Sequence, residues 1–360
     1  MDQQRWFAAK GLVTSVFGLT LAGAAQAQSS VTLYGVVDAG LLFTNKSPNA
    51  STGQNAGRQF ALIDSGDSVS EFGLLGVEDL GHGMKAEFKL ESGFSMANGA
   101  FNDSNGNMFG RQAWVGLSND LGEFKAGLQF SPFLLSLYEL DPRGLSQFGS
   151  GIVNYVNNVV ATGIFNANAV SYTSPVIAGL QGSVMFAFGG AAGNFSAGRQ
   201  YSASLKYDNG SLTINASLYN GNAGGNAQTP VPTTQPFLGR MLGAAYKFGK
   251  VTVKASFTSY KVAGSFNNNV YGGGVDYLLL PDLDLNGGVW VTSDRNQTTN
   301  HSVMGAVGVQ YFLSKRTTLY GQVGVVNNHG AMNTGLSING ALNGVTGTTV
   351  GANLGVRHVF

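Results

Sequence analysis

Along most of this 360-residue chain, apolar and polar side chains alternate in runs of about ten. Period two marks a strand with one oily face and one wet face. The run at 84–94 shows it best: Met84, Ala86, Phe88 and Leu90 alternate with Lys85, Glu87, Lys89 and Glu91. Sixteen such strands are predicted. They cover 31–44, 68–79, 84–94, 108–118, 122–131, 167–174, 180–188, 200–207, 212–219, 237–248, 251–261, 270–279, 283–294, 301–312, 317–327 and 350–360. Their lengths suit strands crossing a bilayer at a tilt.

The connections alternate in length. Short turns fall near 80, 120, 176, 209, 249, 281 and 315. Longer stretches rich in Gly, Asn, Ser and Thr fall at 45–57, 95–107, 133–166, 189–199, 220–236, 262–269, 295–300 and 328–348. Of these, 220–236 reads as an exposed loop. Short turns on one side and long loops on the other are the habit of a membrane barrel. Closing the sheet removes the unpaired edges that lipid cannot solvate.

Composition agrees. Charged residues are 11% of the chain, against about a quarter in soluble domains. Glycine is abundant at 53 residues, yet no segment after residue 27 reaches 18 consecutive apolar residues, so no transmembrane helix is expected. Residues 1–27 read as a signal peptide. Arg5 and Lys10 precede an apolar run at 11–23, and Ala25-Gln26-Ala27 offers small residues for cleavage after Ala27. The mature chain, 28–360, reads as one all-β domain, a 16-stranded antiparallel transmembrane barrel in the bacterial outer membrane. Without Arg5, Lys10 and Asp2 the formal charges balance, which argues against a nucleic-acid surface. The chain has no cysteine, so no disulfide or thiolate chemistry is available.

Several blocks together resemble the general trimeric porins of Gram-negative bacteria, in particular the beta-proteobacterial branch. They are Ser30-Val31-Thr32-Leu33-Tyr34-Gly35, Gly76-Val77-Glu78-Asp79-Leu80-Gly81 and Phe109-Gly110-Arg111-Gln112-Ala113-Trp114-Val115-Gly116-Leu117, followed by Tyr172-Thr173-Ser174-Pro175 and Gly355-Val356-Arg357-His358-Val359-Phe360. The resemblance implies a homotrimer surrounded by outer-membrane lipid, passive diffusion of small solutes and ions, and a third long loop folded into the lumen. That loop is 133–166, where the alternation lapses. The resemblance also makes the terminal Phe360 a signal for the barrel assembly machinery.

A constriction filters ions through the charged side chains around its narrow water path. The inner loop offers Glu139, Asp141 and Arg143. On the opposing wall the chain departs from the family's basic pattern. Glu71 and Leu75 stand at two usually basic positions, and Leu128 at a third, while Arg111 is retained. Alternation puts Glu71, Gly73 and Leu75 on the lumen face. Lys85, Lys89, Lys125, Arg199, Lys206, Arg240, Lys254 and Lys261 are further lumen candidates. Fewer cations and an added Glu71 imply a weakly selective or mildly cation-preferring pore.

No enzyme, metal or cofactor is expected. The four histidines lie far apart in sequence, and the Gly272-Gly273-Gly274 run precedes no helix and so is no phosphate loop. The alternative readings are a substrate-specific porin with a binding site in its channel, a structural or adhesive barrel, and a barrel enzyme.

Overall fold

The computed structural model describes residues 29–159, 163–225 and 230–360. The predicted signal peptide lies outside them. The chain opens with β1 (Ser30–Pro48), β2 (Asn55–Asp64), β3 (Glu71–Gly81), β4 (Met84–Gly93), β5 (Gln112–Asn119) and β6 (Gly122–Phe130). Two short helices follow, α1 (Pro132–Leu140) and α2 (Gly151–Val159). Next come β7 (Phe165–Thr173), β8 (Leu180–Ala187), β9 (Gln200–Asp208), β10 (Leu212–Gly225), β11 (Pro230–Phe248) and β12 (Val251–Val262). The chain ends with β13 (Asn267–Leu280), β14 (Leu283–Asp294), β15 (His301–Phe312), β16 (Thr317–His329), a small hairpin of β17 (Thr334–Ser337) and β18 (Ala341–Asn343), and β19 (Gly347–Val359).

All of these strands except β17 and β18 join in one antiparallel sheet. It closes where β1 meets β19, from Val36 opposite Val359 to Thr44 opposite Gly351. Phe360 extends the seam: its N–H donates to Gly35 O at 3.0 Å, and Gly35 N–H donates to Phe360 O at 3.2 Å. The wall is the expected 16-stranded barrel, because β2 and β3 are two halves of one wall strand. β3 pairs with Ser30–Val36 of β1, and β2 pairs with the outer half of β1 from Ala39 onward.

The break between those halves, at 65–70, has a visible cause. Asp38 points into the lumen, and its carboxylate accepts the backbone N–H groups of Gly66 (3.1 Å), Asp67 (3.0 Å) and Ser68 (2.7 Å). Tyr320 donates its hydroxyl to the same carboxylate at 2.6 Å. Leaving buried amides unpaired costs about 1–3 kcal/mol each. Asp38→Ala should therefore destabilise the barrel by about 3 kcal/mol or more by the same reasoning. Urea unfolding of the folded protein in detergent checks this; an unchanged midpoint contradicts it.

Three sequence expectations are revised. No strand is predicted between 44 and 68, yet β2 runs over Asn55–Asp64. The stretch 220–236 was expected as a loop, but β10 and β11 run on as a paired hairpin to Gly225 and from Pro230. The run at 108–118 is strand only from Gln112, because Met108–Arg111 belongs to a loop folded against β4.

Of the stretch 133–166, residues 133–159 fold into the barrel as expected, while Phe165 and Asn166 already belong to wall strand β7. Ser131 caps α1 by accepting the Leu134 N–H, and Pro132 takes the first turn, where no N–H is needed. Phe133, Leu137 and Leu140 are buried against the lumen side of the wall. There Phe133 packs on Tyr155, Tyr219 and Tyr260. A Cβ at Gly239 would lie 2.7 Å from the Phe133 ring, so β11 presents glycine where the helix seats. Each such fully buried side chain contributes about 2 kcal/mol to docking the loop.

Candidate functional site

The loop charges divide into two kinds. Glu139, at the end of α1, is half-exposed. Its carboxylate meets Lys206 Nζ at 2.8 Å and accepts from Asn215 Nδ2 at 2.8 Å. It lines a recess of about 350 Å3 with Glu123, Lys125, Ser183 and Lys206. Asp141 and Arg143 are buried instead. Asp141 accepts the N–H groups of Arg143 (2.8 Å), Leu145 (3.2 Å) and Gly151 (2.7 Å). Burial pushes its carboxyl pKa up, and the three amides pull against that.

Arg143 ties the loop to the far wall. Its Nε donates to Asn286 Oδ1 on β14 at 2.9 Å, and its Nη2 donates to Gln322 Oε1 on β16. Its Nη1 donates to the carbonyls of Phe148 (2.8 Å) and Gly149 (3.0 Å). Burial lowers its pKa to about 10, which still leaves it charged at neutral pH. Lys254 adds a further tie, donating to the backbone carbonyls of Glu139 (2.9 Å) and Asp141 (3.0 Å). Two of the three loop residues expected at the water path are therefore anchors of the loop.

On the wall, register decides which side chains face inward. Val36 sits opposite Glu71, Tyr34 opposite Gly73 and Thr32 opposite Leu75. Tyr34 reaches Glu91 across the lumen face, so Glu71 and Leu75 point inward as expected. Arg111 is buried between two acids, 2.7 Å from Glu71 and 3.0 Å from Glu91. Glu91 is the hub. It also meets Lys89 Nζ at 2.8 Å and accepts from Tyr34 OH at 2.8 Å and Gln112 Nε2 at 3.1 Å. The sequence reading put Glu91 on the charged face but gave it no role. Its place opposite Gln112, next to Arg111, was the available signal.

Leu128 is a correction. It pairs with Ala113 and so shares the outward face with Val115 and Leu117. Lys125, Gly127 and Gln129 take the inward positions, and the Gln129 side chain accepts from Ser171 Oγ at 2.6 Å. A swap test separates the two leucines. Leu128→Lys should cost about 2–4 kcal/mol near the bilayer midplane and leave selectivity unchanged. Leu75→Lys should fold and shift the reversal potential toward chloride. Equal effects of the two on selectivity would mean the register is wrong.

The remaining basic candidates also divide. Lys85, Lys89, Lys125, Lys206 and Lys254 face inward. Arg240 and Lys261 face outward, in register with Leu218 and Leu238. Arg199 immediately precedes β9. Lys125 meets Glu123 at 2.8 Å and lies 4.4 Å over the Trp114 ring. Arg357 meets Asp67, in the strand break, at 2.8 Å. Every ion pair among the described residues therefore lies on the lumen side.

A closed antiparallel barrel, with a loop braced across a charged lumen, defines the class: an outer-membrane channel. The family model described as Gram-negative porin matches residues 13–331, and the chain belongs to that family. It is 31% identical to outer membrane porin protein 32 of Delftia acidovorans, over 95% of this chain and 97% of that one. It is 30% identical to an outer membrane porin of Bordetella pertussis, over 98% of this chain and all of that one. Among solved structures, the anion-selective porin from Comamonas acidovorans superposes with a TM-score of 0.79 at 27% identity, over 92% of this chain and 100% of that one. The protein is a beta-proteobacterial type of outer-membrane porin.

Proposed function

We propose that this porin forms a water-filled channel for passive diffusion of small hydrophilic solutes and ions, and that it is weakly selective or mildly cation-preferring. One observation carries the reading. Lys89, Arg111, Lys125, Lys206 and Arg357 each lie 2.7–3.0 Å from a carboxylate. A cation paired in this way offers little net field to a passing anion. Glu71 and Leu75 occupy wall positions where the porins it resembles are usually basic.

The reading includes a homotrimer, supported by the whole-length likeness to the porin relatives. It also includes Phe360 as the signal that ends the last strand for the assembly machinery. Its hydrogen bonds to Gly35 fit a residue needed at closure. The mature chain is taken to begin after Ala27.

A second reading is favoured by the recess beside α1, which two ion pairs and several hydroxyls line. In that reading the channel holds a solute there before passing it on. Stepwise conductance in a planar bilayer, with liposome swelling by neutral sugars, tests the first reading. Swelling rates that fall smoothly with sugar size support it. Absence of conductance steps rules it out, and saturable block by one solute moves the assignment to the second reading.

A further inference from the structure

The outward placement of Arg240 and Lys261 gives these two cations no role in the lumen. Arg240 lies on β11 opposite Ser259, and Lys261 lies two residues further along β12 on the same face. Diagonal neighbours of this kind lie about 7–8 Å apart, within reach of one shared ligand for two long side chains. Both side chains are exposed. Neither takes part in an ion pair among the described residues.

Among the described residues, the surrounding outward face contains no carboxylate. On β10 it presents Ile214, Ala216, Leu218 and Asn220, and on β13 it presents Asn267, Asn269, Tyr271 and Val275. Below the two cations everything facing out is apolar or aromatic. Leu242, Ala244, Tyr246 and Phe248 follow on β11, and Phe257, Ala255, Val253 and Val251 on β12.

Depth completes the picture. Arg240 lies eight residues from the end of β11 at Phe248, and Lys261 ten residues from the start of β12 at Val251. At about 3.4 Å per residue and a tilt of roughly 40°, these positions stand roughly 20 and 25 Å above the short-turn rim. The apolar band of such barrels is about 25 Å tall. The cations therefore sit where hydrocarbon gives way to headgroups, on the long-loop side. Ser259 and Asn220 offer neutral hydrogen-bond donors beside them.

We propose that Arg240 and Lys261 form a lipid-headgroup site on the outer wall, holding a phosphate group of an outer-leaflet lipid. Arginine grips phosphate oxygens in a planar fork, and lysine adds a point charge. The site is independent of pore selectivity.

The test is native mass spectrometry of the full-length folded protein in detergent, titrated with diphosphorylated lipid A, with dephosphorylated lipid A and with inorganic phosphate. The wild type should retain the diphosphorylated lipid at least tenfold better than the dephosphorylated one. Arg240→Gln with Lys261→Gln should abolish that preference, and Arg240→Lys with Lys261→Arg should restore most of it. Heat-dependent gel mobility verifies that each variant is folded. Equal retention of both lipids by the wild type overturns the proposal. So does binding of inorganic phosphate with no preference between the lipids. A charge-removing variant that loses oligomer stability but keeps the lipid preference also overturns it, because the cations would then serve a contact between copies of the chain.

Discussion

Replacing both Glu71 and Glu139 by glutamine should turn the channel toward chloride. The two acids neutralise Arg111 and Lys206, at 2.7 and 2.8 Å. Glutamine keeps the shape and much of the hydrogen bonding but removes the charge. Arg111 still has Glu91, so the wall stays folded. Lys206 loses its only ion-pair partner among the described residues. In water, a unit charge about 8 Å from a passing ion is worth about 0.5 kcal/mol, which screening at about 0.1 M salt roughly halves; attraction of the cation and repulsion of the anion together then give roughly a two- to threefold change in ion preference per charge. The double variant should therefore shift the cation-to-anion permeability ratio roughly fivefold toward the anion, by the same arithmetic. Reversal potentials in a salt gradient read this directly. Lys206→Gln alone should move the ratio the other way. The shifts should shrink at high salt, because screening shortens the reach of each charge.

The second large effect is mechanical. Arg143→Ala should free the inner loop from the far wall. The guanidinium bonds Asn286 and Gln322 on two strands and two carbonyls of its own loop. Hydrogen bonds to a charged group are worth about 1.5–3 kcal/mol each. Their loss removes several kcal/mol of loop docking, while the barrel wall keeps its own ladder. Single-channel conductance should rise and become noisier, and liposomes should admit larger sugars. Asp141→Ala should loosen the same loop from within, since three backbone amides lose their acceptor. A variant with wild-type conductance and the same sugar cut-off would show that α1 packing alone holds the loop.

How far the sequence could be read differs from residue to residue. Period two located most of the wall strands, and its lapse marked 133–166 as a different kind of stretch, because both are local patterns; that the stretch folds into the lumen was implied by the resemblance to porins. The same pattern correctly turned Glu71 and Leu75 inward. At Leu128 two signals disagree: counting by twos from Lys125 puts it outside, while the likeness to a basic family block points it inward, and the register follows the count. Arg240 and Lys261 needed the same count from Leu242 and Phe257. Other features were not local at all. The strand break at 65–70 depends on Asp38, 28 residues before Gly66. The anchoring of Arg143 depends on Gln322, 179 residues away. No spacing in the chain announces such pairs; only the closed barrel brings them together. The strand Asn55–Asp64 was missed because its alternation is broken by polar loop residues at one end and by the turn Asp38 holds at the other.

The charge pairing in the lumen is tested most directly by one number. Purified wild-type protein, reconstituted in a planar bilayer, is placed under a potassium chloride gradient and its reversal potential is recorded. A lumen in which Lys89, Arg111, Lys125, Lys206 and Arg357 are each matched by a carboxylate predicts a small potential, near zero or modestly on the cation side. A large potential of the anion-selective sign would contradict it, because the paired lysines and arginines would then be acting on permeating ions as free charges.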